Sequence, residues 1–550
     1  MRTKILILLA SFLLLTLTCR AQGQLYSNYW FAYSTVEVDR PIAADSSIYQ
    51  SSCSAIPFGE DRMIHFYSEE DFGDCYQIYN IYGEEVFSTP QLLLPALDPD
   101  YMGIPHVVLD GIGGLFAVVR ISNLQDEGLY AQRLDSEGNR LWGDAGILLS
   151  EEEFHSTLEA SPDGVGGFLY TFRHADSNDI IVQRVDSTGQ KEWGDNGVIV
   201  CDNLYQQDIP AITHDECGGA YVIWRDYRPP HVFPSGRAYI QKVDFVGNTI
   251  WATNGVQFSS INRQPWFFQL IPDGEEGFVL HEGSGVYNFA HRVDPNGHLL
   301  WERDYVSWGD EAQIAEGDSG FFYTAWCSEF ADSIYAQNID MDGNFHWGDF
   351  PGVLMATGNN IYSNLVDVYY NNSHLFGAFY FGESSPSWDL HILAQCLDSN
   401  GQYLWGPEGT MVSSNAEGGC FNISIVSDQI NGATTFFDVH FNGEHNVFAK
   451  HINANGSLGG PKPVRVIPPI RTQISGISEG LVRYNISKPG IVNIDLYNLL
   501  GQHIKTIQNN YQQPGTHTTH IDQSSLSSGI YFLRLHTPTG SNVSKMVVMR

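Results

Sequence analysis

The chain has 550 residues, of which 43% are hydrophobic, 13% aromatic and 17% charged. It is too long for one ordinary compact domain unless it is a repeat array, and too apolar for a disordered acidic tail. Residues 22–469 hold 18 basic and 60 acidic residues, a field that repels nucleic acid and anionic membranes, so neither is an expected partner.

The N-terminus reads as a signal peptide over residues 1–21. Arg2 and Lys4 precede an apolar run of 13 residues from Ile5 to Leu17, and Cys19-Arg20-Ala21 offers small residues for cleavage after Ala21. The run is shorter than the roughly 20 residues of a membrane-spanning helix, and no transmembrane helix is expected elsewhere. Cys19 opens a lipoprotein alternative, although Thr16-Leu17-Thr18 is a poor lipobox.

A repeat then occupies residues 70–460. Its first full copy is Tyr130-Ala-Gln-Arg-Leu-Asp135-Ser-Glu-Gly138-Asn-Arg-Leu-Trp142, followed by copies centred on Gly189, Gly247, Gly297, Gly343 and Gly401. In all six a tryptophan follows the glycine by four: Trp142, Trp193, Trp251, Trp301, Trp347 and Trp405. Degenerate copies at Gly83, with Phe87 in the tryptophan slot, and at Gly456, with Gly460 there, bracket the array. Period-two alternation before each Asp predicts a strand, and Asp-x-x-Gly predicts a hairpin turn. A glutamine recurs three residues before that Asp or its Asn stand-in, at Gln77, Gln132, Gln183, Gln241, Gln337 and Gln395. Its expected role is a buried amide bonded to backbone. A second turn, Asp110-Gly-Ile-Gly-Gly114, recurs from Asp163, Asp215 and Asp273, and more weakly from Asp428.

Each repeat therefore predicts four strands, the last beginning at the tryptophan. The expected fold is all-β: residues 22–460 as a β-propeller of four-stranded blades, eight of them with seven as the alternative. Residues 22–45 are left to close the ring or cap an edge. The glycine–tryptophan turn resembles the tryptophan-docking turn of the quinoprotein (PQQ-dependent dehydrogenase) propellers, whose Asp-x-x-x-Gly is one residue longer. That resemblance implies the architecture and no quinone site. The turn differs from the sialidase Asp-box, in which Gly follows Asp by two and Trp by three.

Seven cysteines remain after signal removal. Cys53 with Cys75, and Cys201 with Cys217, lie close enough in sequence to pair, and Cys327, Cys396 and Cys420 leave an odd thiol. No catalytic motif is found: Gly-x-Ser-x-Gly, His-Glu-x-x-His and Gly-x-x-x-x-Gly-Lys are all missing. His281-Glu-Gly-Ser284 falls within a blade segment, and His517-Thr-Thr-His520 on a predicted strand surface. Asp340-Met-Asp342-Gly343, Asp294-Pro-Asn296-Gly297 and Asp398-Ser-Asn400-Gly401 resemble pieces of calcium loops but lack the later Glu. They read as hairpin turns, with calcium the one ion to test. No catalytic, cofactor-binding or metal residue is assigned. The longest insertion, Trp224-Arg-Asp-Tyr-Arg-Pro-Pro-His-Val-Phe-Pro-Ser-Gly-Arg237, carries three arginines and is a candidate groove for glycan or peptide, with ordinary loop packing the alternative. A second irregular stretch is Phe381–Asp389.

Proline density over 461–471 predicts a linker. Beyond it, Val492, Ile494 and Leu496, and Tyr531, Leu533 and Leu535, alternate as in a small Ig-like β-sandwich over 472–550. Tyr484-Asn485, Pro489-Gly490, Val492-Asn-Ile-Asp-Leu-Tyr497-Asn498-Leu-Leu-Gly501-Gln502, Pro514-Gly515-Thr-His517, Leu526-Ser-Ser-Gly529-Ile-Tyr531-Phe and the final Lys545-Met-Val-Val-Met-Arg550 resemble the type A C-terminal sorting domain of the Bacteroidetes type IX secretion system. The resemblance implies type IX machinery as partner, transit through the periplasm, and a mature protein that is released or held on surface glycolipid. The expected role is a non-catalytic extracellular protein for binding, adhesion or scaffolding, with its glycan or protein ligand unspecified. The alternative is a glycan-acting hydrolase or lyase.

Overall fold

A computed structural model describes residues 40–42, 50–59, 61–69, 73–97, 105–121, 127–151, 154–229, 236–258, 265–284, 287–308, 312–317, 320–328, 333–357, 367–371, 373–383, 389–413, 420–441, 444–460, 473–478, 481–486, 490–498, 502–512, 515–523, 526–537 and 540–548. The expected signal peptide and proline-rich linker lie outside these residues. All regular elements described are strands, and no described helix is long and apolar enough to cross a membrane. The chain divides into two compact units, one up to Lys462 and one from Pro463.

The first unit contains eight four-stranded antiparallel sheets among the described residues. In chain order sheets 1 to 7 span 50–92, 106–150, 154–201, 207–257, 267–308, 312–357 and 367–413, each from four consecutive strands. Sheet 8 takes three strands from Cys420–Phe441 and Glu444–Ile452, and its fourth from Arg40–Pro41 near the chain start. Arg40 lies opposite Ala449, and the Ile42 N–H donates to the Val447 carbonyl at 3.0 Å. Part of 22–45 thus completes an edge that would otherwise present unpaired N–H and C=O groups.

Why these sheets stack is visible in their side chains. Every sheet is apolar on both faces, and each neighbouring pair shares a core. Ile78 of sheet 1 meets Leu115 of sheet 2, Phe116 of sheet 2 meets Phe168 of sheet 3, and the series runs on to Phe376 of sheet 7 against Ile425 of sheet 8. Sheet 8 in turn packs on sheet 1 through Phe436, Val447, Met63 and Tyr79, so the succession closes on itself. First strands pack on the first strands of neighbouring sheets, which makes them innermost and the fourth strands outermost.

The fourth strand does not begin at the tryptophan in most repeats. It starts at Ile147, Val198, Val256, Val353 and Thr410, five or six residues later, and only sheet 5 runs Leu299–Trp308 through it. The delay has a local cause. A glycine intervenes at Gly146, Gly197, Gly255, Gly352 and Gly409, where the chain passes against a third-strand carbonyl; at Gly146 a Cβ would collide with Ala131 O.

The two cysteine pairs that lie close in sequence are not close in the fold, and Cys201 and Cys217 are free thiols. Cys53 belongs to the first strand of sheet 1 and Cys75 to the third, with Tyr67 of the second strand between them. Two strand spacings are about 9.6 Å, beyond disulfide reach. Cys201 lies opposite Ile180 at one end of sheet 3, whereas the turn carrying Cys217 reaches Arg184, four residues or about 13 Å along the same strand. Burial pushes the Cys201 thiol up to about 12, so it stays protonated.

In the second unit a three-stranded sheet (Gln473–Ser478, Leu481–Ile486, Gly515–His520) and a four-stranded sheet (Gly490–Asn498, His503–Gln512, Gly529–Thr537, Gly540–Val548) share one core. Val492, Ile494, Leu496, Leu533 and Leu535 point into it, as their alternation requires.

Candidate functional site

The repeat builds one joint between each sheet and the next. In sheet 2 the Gln132 Nε2 donates to the Gly143 carbonyl at 2.7 Å, while its Oε1 accepts from the Arg133 and Trp142 N–H groups at 3.1 and 3.0 Å. Gln183, Gln241 and Gln337 repeat this clamp, and Gln395 makes its bonds to the Gly406 carbonyl and the Cys396 N–H. The tryptophan lies on the turn glycine of the following sheet: Trp193 on Gly247, Trp251 on Gly297, Trp301 on Gly343, Trp347 on Gly401 and Trp405 on Gly456. Indole N–H groups of Trp193, Trp301 and Trp347 donate to carbonyls of the same turns at 3.1, 2.7 and 3.0 Å.

A basic side chain pins the joint from within. Asp110, opening the first turn of sheet 2, accepts the Ile112 and Gly114 N–H groups on Oδ1 and meets Arg133 at 2.9 Å on Oδ2. Arg133 also donates to the Ser187 carbonyl of the next sheet at 2.8 Å. The pair recurs as Asp163–Arg184 (2.8 Å), Asp215–Lys242 (3.6 Å), Asp273–Arg292 (2.9 Å) and Asp428–His451 (3.0 Å). The basic residue follows the glutamine position in sequence, a signal that motif reading passed over because Arg, Lys and His alternate there.

Sheet 6 departs from the pattern. Its pairing places Glu316 opposite Phe322 as Leu109 stands opposite Leu115, which puts Gly317 in the Asp position and Phe321 in that of Gly114. Tyr323 opposite Asn338 matches Phe116 opposite Arg133, so Asn338 replaces the base. A cavity of about 290 Å³ opens here, lined by Phe321, Tyr323, Asn338 and His346 of sheet 6 and Tyr370, Ser399 and Asn400 of sheet 7. Tyr323 and Tyr370 stack with ring centroids 4.3 Å apart, and Phe321 meets His346 edge-on at 5.1 Å. Asn338 is 4% exposed, and its Oδ1 has no hydrogen-bond partner among the described residues. His346 Nε2 lies 2.8 Å from Asp340 Oδ2. Burial would raise the Asp340 carboxyl, but hydrogen bonds from His346, Asn344 and Asp342 outweigh it and lower it to about 2.

The arginine-rich insertion is tied up internally, and its residues 230–235 lie outside the described chain. Arg225 grips Asp208 with two bonds of 2.6 and 2.8 Å, and Tyr227 OH donates to the same carboxylate at 3.2 Å. Arg228 bonds Asp226 at 2.6 Å and covers the Tyr239 ring at 3.9 Å. Arg237 is buried and donates to the Gly236 carbonyl. The second irregular stretch lies largely outside the described residues. His281 is buried in a strand with its ring edge-on to Phe267, so no nucleophile turn exists at Ser284. The calcium-like Asp340, Asp294 and Asp398 each accept two turn N–H groups on Oδ1, the geometry of a hairpin turn.

No curated protein matches the chain. Among solved structures it is similar to a lectin from Burkholderia pseudomallei, at 12% identity and a TM-score of 0.43 over 75% of this chain and 99% of that one. It is similar also to prolyl oligopeptidase B from Galerina marginata, at 11% identity and a TM-score of 0.41, over 74% of this chain and 56% of that one. A protein of unknown function from Dyadobacter fermentans is 9% identical with a TM-score of 0.37, over 77% and 99% of the two chains. Residues 481–549 match the family described as a secretion system C-terminal sorting domain. The chain therefore carries a type IX sorting domain, which marks it for export and for release or attachment at the outer cell surface.

Proposed function

We propose that residues 22–460 form an eight-bladed β-propeller that serves outside the cell as a binding, adhesion or scaffold protein. A signal peptide over 1–21 starts its export, a linker over 461–471 follows the propeller, and 472–550 form an Ig-like sorting domain. Eight sheets, eight shared cores and an N-terminal strand completing the last sheet support the blade number. The observation that carries the binding role is the joint between sheets 6 and 7. There the aspartate–arginine pair of sheets 2, 3 and 5 is replaced, and a cavity with aromatic and amide lining opens.

The alternative of a glycan-acting hydrolase or lyase draws on one feature. His106 Nδ1 and Glu159 Oε2, on the innermost strands of sheets 2 and 3, lie 4.0 Å apart. A screen of the full exported chain against neutral and acidic polysaccharides, scored for retention and for released product, separates the two readings. Retention without product supports binding; product that disappears in Glu159→Gln overturns it. For export, deletion of residues 470–550 in a host with the type IX system is expected to leave the propeller in the periplasm. Undiminished secretion of the shortened chain would refute the sorting role.

A further inference from the structure

Three substitutions face one another at the sheet 6 joint. Sheets 2, 3 and 5 have an aspartate, a glycine and an arginine where sheet 6 has Gly317, Phe321 and Asn338. Because both members of the ion pair are replaced, neither position leaves behind an unpaired buried charge, which would cost about 3–5 kcal/mol. Other joints without the pair are refilled with apolar volume. Ile78 occupies the space at sheet 1, where a Cβ on Gly138 would collide with its Cδ1, and Phe376 and Cys396 occupy it at sheet 7. The sheet 6 joint is left open instead, with the Asn338 side chain among the residues that line it.

We infer that this cavity binds one neutral saccharide ring, the terminal or exposed unit of a glycan. The inference rests on the binding role proposed above and gives it a location. A pyranose presents apolar C–H faces and a rim of hydroxyls. The cavity offers Phe321 and Tyr370 as apolar walls, and Asn338, Ser399 and Asn400 as hydrogen-bonding groups at its floor and rim. None of the lining side chains carries a fixed charge, and His346 is already bonded to Asp340. The surplus of acidic residues over 22–469 disfavours anionic sugars. Its volume is at the lower end of small-molecule sites, roughly 300–1,000 Å³, which suits a single ring with the remaining glycan outside. His346, Ser399 and Asn400 are exposed and leave the mouth open to solvent.

The test uses the full exported chain and a panel of neutral methyl glycosides at millimolar concentration, followed by ligand-observed NMR and by tryptophan fluorescence. Trp347 is the reporter, since its ring lies 5.3 Å from that of Tyr323. At least one glycoside is expected to bind. Asn338→Leu, which keeps the side-chain volume and removes the amide, is expected to weaken it roughly tenfold or more with the thermal midpoint retained. Asn400→Ala, on an exposed turn, is expected to weaken it without touching the fold. A glycoside bound equally well by the wild type and both variants overturns this site while leaving a binding role elsewhere. Failure of every neutral glycoside, with peptides or acidic glycans retained, overturns the saccharide assignment and again spares the binding role. Product release in the polysaccharide screen, lost in Glu159→Gln, is the separate outcome that removes the binding role itself.

Discussion

Replacing Trp193 and Gly247, singly and together, tests whether the sheets are held by tryptophan seated on the neighbouring turn. Trp193 is 7% exposed, and its indole N–H donates to the Phe245 carbonyl at 3.1 Å. Trp193→Ala removes a buried aromatic, which costs about 3–5 kcal/mol, and a hydrogen bond of about 1 kcal/mol. Gly247 has φ +91°, and a Cβ there would sit 2.9 Å from Trp193 Cδ1. Gly247→Ala therefore pays twice: about 1–2 kcal/mol for the left-handed backbone, and about 1–3 kcal/mol for the collision. In the double variant the collision vanishes while the backbone strain stays. The pair should be less destabilising than the sum of the singles by about 1–3 kcal/mol, although 54 residues separate them in sequence. Equilibrium urea unfolding of the full chain gives each free energy from midpoint and slope. Additivity within about 0.5 kcal/mol would refute the seating of Trp193 on Gly247.

Two further predictions concern buried charge. Asp163 has no exposed side-chain surface, so Arg184→Met is expected to cost about 3–5 kcal/mol by leaving its carboxylate uncompensated. Adding Asp163→Asn should recover much of this, because Oδ1 can still accept the Val165 and Gly167 N–H groups; urea unfolding that shows no recovery rules out the pin. His65 is buried at the junction of sheets 8 and 1, stacked on Phe436 at 4.2 Å, and burial lowers its imidazole to about 3. Its folded value lies below the unfolded value near 6.5, so the unfolded chain takes up the proton first. The stability it contributes is complete above about 6.5 and is lost as the pH falls toward 3. Between pH 7 and 5 the wild type should lose about 2 kcal/mol relative to His65→Phe in urea unfolding, and parallel pH profiles for the two would contradict this.

Much of the fold was legible because its signals are local. The Asp-x-x-Gly and Asp-Gly-x-Gly-Gly turns satisfy their own backbones within five residues, as Asp135 does for Glu137 and Asn139. The glutamine clamp was legible for the same reason, reaching only ten or eleven residues along the chain. Reading the fourth strand from the tryptophan failed because that residue's backbone is captured by the clamp, and the chain must first bend at Gly146 or its counterparts. The cysteine pairing failed because nearness in sequence says nothing about the intervening second strand, or about which end of a sheet a residue occupies.

The candidate site belongs to a different level of description. Composition and period by themselves determined an all-β repeat, because strand alternation and turn chemistry act over a few residues and recur in phase; the export tail was legible only through its resemblance to a known sorting domain. Only the tertiary structure decided that Tyr370 and Ser399 stand beside Tyr323 and Asn338, since they come from different sheets and meet only when one sheet packs on the next. The absence of an ion pair is invisible in a sequence until register shows which aspartate and which arginine should have faced each other. Apolar burial between whole sheets, which has no directional code in the chain, sets that register.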